Sequence, residues 1–297
     1  MLSIDLSELE VPKVHHYLLG AVGPRPICFA STIDEDGRPN LAPFSFFNVF
    51  SSNPPIAVFS PSRSGRTGQH KDTFNNVQKV KQVVINLVDY KMVEQMSLAS
   101  SPYSPETDEF VKSGLTPLKS ELVKPFRVKE SPVQMECEVI EVKELGQNGG
   151  AGNLIICKIL KMHIAQELLN DKNMIDQEKI DLVARMGGDW YCRTDSNSMF
   201  EIKKPISTKG IGFDQIPNEI LNSTILSGND LGKLGGVEVL PDETEVNDFK
   251  LLEISDFFME FEENAEALEI ALHKKAKDFL DKNQLQAAWK TLLSFNN

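Results

Sequence analysis

Short apolar runs alternate with turn-forming residues in the first third of the chain, and one amphipathic segment interrupts them. Runs of this kind, bounded by Gly, Pro, Asn, Asp or Ser, are typical of β-strands. The pattern predicts four strands, which are Pro26–Thr32, Pro39–Asn48, Ile56–Ser60 and Gln82–Val88. Before the last of them, Asp72 can cap a helix that places Phe74 and Val77 on one face.

A second pair of segments, Val133–Glu144 and Asn153–Ile164, flanks the turn residues Asn148-Gly149-Gly150 and predicts a β-hairpin. In the first segment apolar and polar residues alternate, as in an antiparallel strand with one buried face. The stretch Leu154–Leu160 is apolar on both faces, which predicts a strand at the centre of a barrel or in a dimer contact.

Helical patterns are weaker in the remainder of the first two-thirds of the chain. Residues 1–22 predict an extended lead-in with about one helical turn. Residues 90–110 are polar and helix-like around a break at Ser100–Pro105, and Asp176–Leu182 predicts a short helical segment.

The last third of the chain has a different pattern. Ile206–Glu245 is rich in Gly, Asn, Asp and Pro and predicts an irregular arm. Apolar residues then recur at helical spacing from Phe261 to Phe279, Asn283 can end that helix, and Leu285–Leu292 marks a second one. We therefore expect a domain at residues 1–200, and an arm with a helical hairpin at 201–297 that packs on the barrel or on a dimer partner.

Charge and composition exclude several classes of protein. The 297 residues carry a net charge of −12, which argues against a general nucleic-acid binder but leaves room for a local phosphate site. The N-terminus is acidic, so it does not predict a signal peptide, and no apolar run is long enough to span a membrane. The four cysteines are scattered, no spacing is typical of a metal site, and we expect reduced thiols and a cytoplasmic protein.

The basic loop at residues 62–76 is the best candidate for binding a phosphate. Arg63, Arg66 and Lys71 supply positive charge, and glycines at 65 and 68 let the backbone approach a ligand. Thr73, near the start of the predicted helix, offers a hydroxyl and a backbone N–H. Neither GxGxxG nor a Walker sequence is present, and the alternative is an ordinary solvated loop.

Five sequence motifs in this order and spacing resemble the flavin reductase-like family, whose members fold as FMN-binding split β-barrels. They are Pro24-Arg25-Pro26, Asn40–Asn48, Ser51-Ser52, Lys71-Asp72-Thr73 and Ala184–Tyr191. The resemblance covers about the first two-thirds of the chain. It implies a mainly β protein with some α, an antiparallel split β-barrel with a C-terminal helical extension. It also implies a homodimer, because split barrels of this family usually build the flavin site across two subunits.

The resemblance also implies which residues bind FMN. They are Phe44, Ser45, Phe46, Phe47, Asn48, Ser51, Ser52, Arg66, Lys71, Asp72, Thr73, Arg185 and Tyr191. Ser45 and Asn48 are small polar residues that suit the edge of a flavin ring, whereas the phenylalanines can equally be core. Arg185 could contact the phosphate or a ring carbonyl, or instead pair with a surface carboxylate. His163 corresponds to a histidine near the flavin and is a candidate catalytic residue, although a histidine at a strand end is usually structural.

Two functions follow from the resemblance. The first is an FMN-dependent oxidoreductase, in which NADH or NADPH reduces a flavin that passes electrons to another flavin or a different acceptor. The second is an FMN-binding electron carrier or redox sensor without turnover of its own. A pyridoxamine-phosphate oxidase-like protein would share the barrel and FMN, but less of its pattern is present.

Overall fold

The computed structural model describes residues 1–296 and divides the chain into two compact units, Met1–Phe200 and a second unit from Glu201 onward. The strands lie in the first unit: β1 Arg25–Pro26, β2 Cys28–Ile33, β3 Pro39–Phe44, β4 Phe47–Ser52, β5 Pro55–Phe59, β6 Gln82–Asn86, β7 Pro117–Leu118, β8 Arg127–Val128, β9 Val133–Glu144, β10 Asn153–Ile164, β11 Val183–Arg185 and β12 Tyr191–Arg193. The helices are α1 Val11–Ala21, α2 Asp72–Lys79, α3 Val93–Ala99, α4 Glu109–Ser113, α5 Asn218–Leu221, α6 Gly228–Leu234, α7 Glu243–Glu253, α8 Ser255–Glu260, α9 Ala265–Asp281 and α10 Leu285–Leu293.

Seven strands form one antiparallel sheet in the order β3-β2-β6-β9-β10-β5-β4. The two edge strands, β3 and β4, follow each other in sequence and are joined only by Ser45 and Phe46. A sheet whose first and last strands are joined by so short a link must curl back on itself. Since β3 and β4 share no ladder in the described chain, the curled sheet is open along this seam.

Strand β2 is buried on both faces because two cores meet on it. Cys28 and Ala30 point into the core inside the curled sheet, together with Phe59, Ile85, Cys137 and Ile155. Phe29 points to the opposite face, where it packs with Leu41, Met96 and Phe110 under α3 and α4. Period-two alternation along the strand therefore fixes both layers of the first unit.

Three of the four cysteines lie in the barrel core, and all four are free thiols, as expected from their scattered positions. Burial raises the pKa of the Cys137 thiol to about 12 and that of Cys28 and Cys157 well above the usual range. Since the thiolate is the reactive form, these three thiols are chemically inert packing groups.

The structure corrects several local predictions in the first unit. The strand predicted at Pro39–Asn48 is broken at Ser45–Phe46, where the chain passes from one sheet edge to the other and the Phe46 carbonyl accepts a hydrogen bond from Ser60 N–H at 2.8 Å. Asp176–Leu182 is not helical but a series of turns, in which Asp181 has a φ of 49° and Leu182 bridges to Asp89. The lead-in contains a longer helix than predicted, Val11–Ala21.

The second unit is helical and has a core of its own. The arm predicted as irregular, Ile206–Glu245, contains α5, α6 and the start of α7. Its apolar residues Ile216, Ile220 and Leu234 pack with Leu280 and Trp289 of the predicted helical hairpin. Trp289 is fully buried and donates its indole N–H to the Leu234 carbonyl at 3.1 Å. Helices α5 and α6 are too short to show helical periodicity, so the hydrophobic pattern of the sequence did not predict them.

Within the described residues, no helix is long and apolar enough to cross a membrane.

Candidate functional site

The N-terminus of α2 presents donors without acceptors. Lys71, not Asp72, occupies the cap position, and its side chain makes no capping hydrogen bond. Backbone bonding starts at Phe74 N–H, which donates to the Lys71 carbonyl at 2.9 Å, so the N–H groups of Asp72 and Thr73 have no acceptor in residues 1–296. Two free N–H groups at the positive end of a helix form a site for an anion such as phosphate.

Lys71 at this helix end and Arg66 in the loop before it are two cations without partners in the described chain. The side chains of Lys71 and Arg66 are exposed, and neither makes an ion pair or hydrogen bond within the described residues. Arg63, in the same loop, differs from them: it donates to the Glu144 carboxylate at 2.7 Å and to the Gly68 carbonyl at 3.1 Å. Arg63 therefore holds the loop against the β9–β10 hairpin, while Arg66 and Lys71 are available for a ligand.

Thr73 faces the protein rather than the loop. Its side chain is buried, and its Oγ1 accepts a hydrogen bond from Asn40 Nδ2 at 3.0 Å. The same amide lies 3.1 Å from Thr32 Oγ1, which also accepts from Asn76 Nδ2 at 3.1 Å. This polar cluster seats α2 on the β2–β3 hairpin and leaves the backbone N–H of Thr73, not its hydroxyl, for an anion.

The candidate residues from Phe44 to Ser52, at the end of β3 and along β4, are divided between the core and the surface. Phe44 and Phe47 pack against the barrel core, and the ring of Phe44 lies 5.7 Å from that of Phe59. Phe46 is 40% exposed and Ser51 is half-buried. Asn48 and Ser52 are exposed, and the Asn48 Oδ1 accepts from Val49 N–H at 2.8 Å. The amide nitrogen of Asn48 makes no hydrogen bond within the described residues and is free to donate to a ligand.

Ser45 and Arg185 lie at Arg25, which belongs to the Pro24-Arg25-Pro26 motif but is not among the predicted FMN-binding residues, and Tyr191 contacts Arg185. The Arg25 guanidinium is buried and donates to the carbonyls of Leu19 and Met186 at 2.7 Å each, to the Val22 carbonyl, and to Ser45 Oγ at 3.5 Å. Burial, and then the charge of Arg185, lower the pKa of Arg25. A charged residue between two prolines at the start of an apolar strand was the signal in the sequence.

Arg185 lies directly opposite Arg25 across the β1–β11 ladder. Its guanidinium stacks 4.6 Å from the centre of the Tyr191 ring, and it lies 3.8 Å from the fully exposed carboxylate of Asp189. The stack holds the planar fork of Arg185 in place while its remaining N–H groups can still be reached by a ligand. Arg25 is thus the positioning residue for this part of the site.

His163 lies away from the other candidate residues of its own chain. Asn48 of β4 pairs with Val58 of β5, which in turn pairs with Ile156 of β10. His163 is seven residues beyond Ile156 on the same strand, which at 3.3 Å per residue is a distance of roughly 23 Å. The His163 ring is held by Glu136, with Nε2 2.7 Å from Oε1. Within one chain, His163 therefore belongs to a polar cluster on the outer face of the sheet.

Glu136 is the centre of that cluster. Its side chain is fully buried, and it accepts hydrogen bonds from the backbone N–H groups of Glu121, Leu122 and Val123 at 2.9, 2.6 and 3.1 Å. Burial alone would raise the pKa of Glu136, but these N–H groups and His163 outweigh it, and the pKa lies below its ordinary value. The carboxylate thus pins the loop after β7 to the sheet.

We expect this carboxylate to make stability depend on pH. A group whose pKa is lowered on folding stabilises the fold above its unfolded pKa, near 4.5, and that contribution is lost as pH falls through the folded value. Glu136→Gln should lower the free energy of unfolding by about 2 kcal/mol at neutral pH, and the difference from wild type should shrink below pH 4. Urea denaturation at several pH values measures this.

Glu138→Gln, two residues along the same strand and exposed, is the control and should change little. A constant difference between wild type and Glu136→Gln at all pH values would contradict the role assigned to the carboxylate.

No group of His, Cys, Asp and Glu within residues 1–296 is placed to hold a metal ion.

Comparison with known proteins identifies the family to which the first unit belongs. The model of the flavin reductase like domain matches residues 21–179, which is more than half of the chain. The chain belongs to the flavin reductase-like family. The flavin reductase-like match ends before the second unit, so the helical unit that begins at Glu201 lies outside the family domain.

Relatives and solved structures agree with this assignment. A protein of Aquifex aeolicus is 35% identical over 189 residues, covering 63% of this chain and 93% of the relative. Protein BH2278 of Halalkalibacterium halodurans is 37% identical over 192 residues, covering 64% and 91%. Nitrilotriacetate monooxygenase component B from Bacillus cereus superposes with a TM-score of 0.64 at 29% identity, covering 68% of this chain and 98% of that one.

Two further structures extend the comparison. The 2-nitrobenzoate 2-nitroreductase NbaA of Pseudomonas fluorescens has a TM-score of 0.63 at 26% identity and covers 71% of this chain and all of its own. A chain from Shewanella frigidimarina described as a flavin reductase with a split barrel domain has a TM-score of 0.56 at 26% identity, covering 66% and 96%. The curled seven-stranded sheet is therefore the split β-barrel predicted from the sequence.

Proposed function

We propose that this protein binds FMN and acts as an NAD(P)H-dependent oxidoreductase of the flavin reductase type, which passes electrons to a flavin or another small acceptor. The observation that carries the proposal is the N-terminus of α2, where two free backbone N–H groups follow the unpaired Lys71 at the cap position, with Arg66 in the preceding loop. In a protein of net charge −12, a local positive site of this kind fits a phosphate group.

The remaining candidate residues suit the other parts of FMN. Asn48 offers an amide N–H and Phe46 an exposed ring for the flavin, while Arg185, held by Tyr191, offers N–H groups to a carbonyl or phosphate oxygen. When bound, FMN supplies the redox chemistry of hydride and electron transfer. The protein binds the phosphate, orients the ring and shields one of its faces.

The first test is the cofactor. The purified protein should be yellow, and heat or acid should release FMN that chromatography identifies. Titration of any cofactor-free fraction with FMN should restore the colour. A colourless protein that shows no affinity for added FMN would end the flavin proposal.

A second measurement separates the enzyme from an electron carrier or redox sensor. Stopped-flow mixing with NADH or NADPH should bleach the bound flavin, and added free FMN should then sustain repeated oxidation of the nucleotide. Bleaching by dithionite but by neither nucleotide would assign the carrier or sensor role instead.

We also propose that the protein is a homodimer through β4 and the outer face of β10. These strands expose large apolar side chains, with Phe50 69%, Val49 55% and Leu160 40% exposed. The opposite face of β10 is already buried by Ile155 and Cys157, so the strand is apolar on both sides and its outer face needs cover. A second copy would provide that cover.

Phe50→Glu should shift the protein toward monomer, which light scattering at micromolar concentration can measure. Val111→Glu, on the exposed face of α4 and 76% exposed, is the matched control and should leave the mass unchanged. A wild-type monomer that holds FMN tightly would refute the dimer.

A further inference from the structure

A cavity of about 280 Å³ lies within the helical unit that begins at Glu201, outside the family domain. Its walls come from α5, the first turn of α7, α9 and the end of α10. They are largely apolar, with Ile220, Leu240, Val246, Leu292 and Phe295 among the lining side chains. The volume is near the lower bound of about 300 Å³ for small-molecule sites.

The charged residues of the cavity are all acidic. Glu219, Glu243 and Glu269 line it, and no lysine or arginine does so among the described residues. Glu219 accepts a hydrogen bond from Asn296 Nδ2 at 3.3 Å, whereas Glu243 and Glu269 have no cationic partner in residues 1–296. An apolar cavity whose charged lining groups are all carboxylates attracts a cation.

A second, independent feature is the buried imidazole of His273. The residue is only 6% exposed and lines the cavity, while its Nδ1 lies 2.7 Å from the hydroxyl of Ser223. Nδ1 is engaged by Ser223, which is not a lining residue, so Nε2 is the ring nitrogen left for a ligand in the cavity. Nε2 has no hydrogen-bond partner in the described part of the chain.

The surroundings of Ser223 fix which nitrogen of His273 carries the proton. Ser223 Oγ accepts hydrogen bonds from the backbone N–H groups of Ile225 and Leu226, at 3.1 Å each. Both lone pairs of the hydroxyl are therefore in use, and its own proton is donated to Nδ1 of His273. Burial lowers the pKa of His273 and keeps the ring neutral, so the proton of the ring is on Nε2 and points toward the cavity.

We propose that this cavity binds a small apolar amine that also carries a hydrogen-bond acceptor. The glutamates bind the ammonium group of the ligand, and Nε2–H of His273 donates a hydrogen bond to its acceptor. The apolar walls pack against the apolar part of the ligand. The carboxylates and His273 do not form a metal site among the described residues. Since the Ser223 hydroxyl does not reach the cavity, the Ser223–His273 pair binds a ligand rather than attacking it.

Tyramine is the probe, because it combines an ammonium group, an apolar ring and a hydroxyl acceptor. Calorimetric titration of the full chain should detect tyramine binding. Phenethylamine, which lacks the hydroxyl, and 4-ethylphenol, which lacks the ammonium, should each bind about tenfold more weakly. The anion 3-(4-hydroxyphenyl)propionate should not bind. Equal binding of the anion and the amine, or no tyramine binding at millimolar concentration, would overturn the proposal.

Glu269→Gln should weaken tyramine binding by about three- to tenfold, because the half-exposed carboxylate is partly screened by water. Glu266→Gln is the matched control on the same helix, since Glu266 is exposed and outside the cavity. His273→Leu removes the Nε2–H donor and should abolish the preference for tyramine over phenethylamine. FMN titration of the same samples reports on the first unit separately, so loss of tyramine binding with FMN binding intact is specific to the cavity. Unchanged tyramine affinity in Glu269→Gln would refute the site.

Discussion

Replacing Lys71 by alanine should weaken FMN binding by about ten- to a hundredfold. Lys71 stands at the cap position of α2 with no partner in the described chain, beside the free N–H groups of Asp72 and Thr73. An ammonium in this position adds a charge-assisted hydrogen bond to a phosphate that the helix end already attracts. The affinity of each variant can be measured by quenching of flavin fluorescence.

Riboflavin, which has no phosphate, distinguishes a phosphate contact from a structural effect. Its affinity should hardly respond to Lys71→Ala. Lys79→Ala, at the other end of α2, is the control for a general loss of positive charge, since Lys79 is exposed and only 3.8 Å from the exposed carboxylate of Glu35. Equal losses of affinity for FMN and riboflavin would indicate that Lys71 contacts the flavin ring or supports the fold, and not that it binds the phosphate.

Thr73→Ala separates the hydroxyl from the backbone at the same helix end. Because the hydroxyl is buried against Asn40, its removal should cost stability rather than direct contact with the phosphate. The backbone N–H of residue 73 remains in the variant, so FMN affinity should fall less than in Lys71→Ala.

Arg25→Met should destabilise the first unit by about 3 kcal/mol. The substitution keeps the apolar stem but removes the guanidinium that satisfies the carbonyls of Leu19, Val22 and Met186 together. The guanidinium itself is buried, and a charged donor shared by several carbonyls is worth more than a neutral one. Denaturant unfolding of the FMN-free protein measures the loss.

The same variant should disturb the site, because Arg25 positions Ser45 and lies opposite Arg185. FMN affinity should therefore fall in Arg25→Met even where the protein is fully folded. Arg38→Met is the control: Arg38 is an exposed arginine that pairs with Asp34 and Asp36 in a surface turn, and its loss should hardly move the denaturant midpoint. A midpoint that moves equally in both variants would show that burial of Arg25 contributes nothing.

The hydrophobic pattern predicted most of the first unit because its strands are long or strictly alternating. The β9–β10 hairpin has the bounds predicted for it, Val133–Glu144 and Asn153–Ile164. The pattern could not predict the break at Ser45–Phe46. That break comes from closure of the sheet, in which residues distant in sequence must meet, and no local preference of Pro39–Asn48 encodes it.

The sequence by itself determined the family, the barrel and the loop that carries Lys71 and Arg66, because these depend on local spacing and on charge in a short segment. Only the tertiary structure decided which of the polar candidates already have partners within the chain. Arg63 and Thr73 look as available as Lys71 in the sequence, yet the structure pairs the first with Glu144 and the second with Asn40. It likewise placed His163 beside Glu136 and His273 beside Ser223. The hydrogen-bond partners of a buried polar group come from distant parts of the chain, and folding alone brings them together.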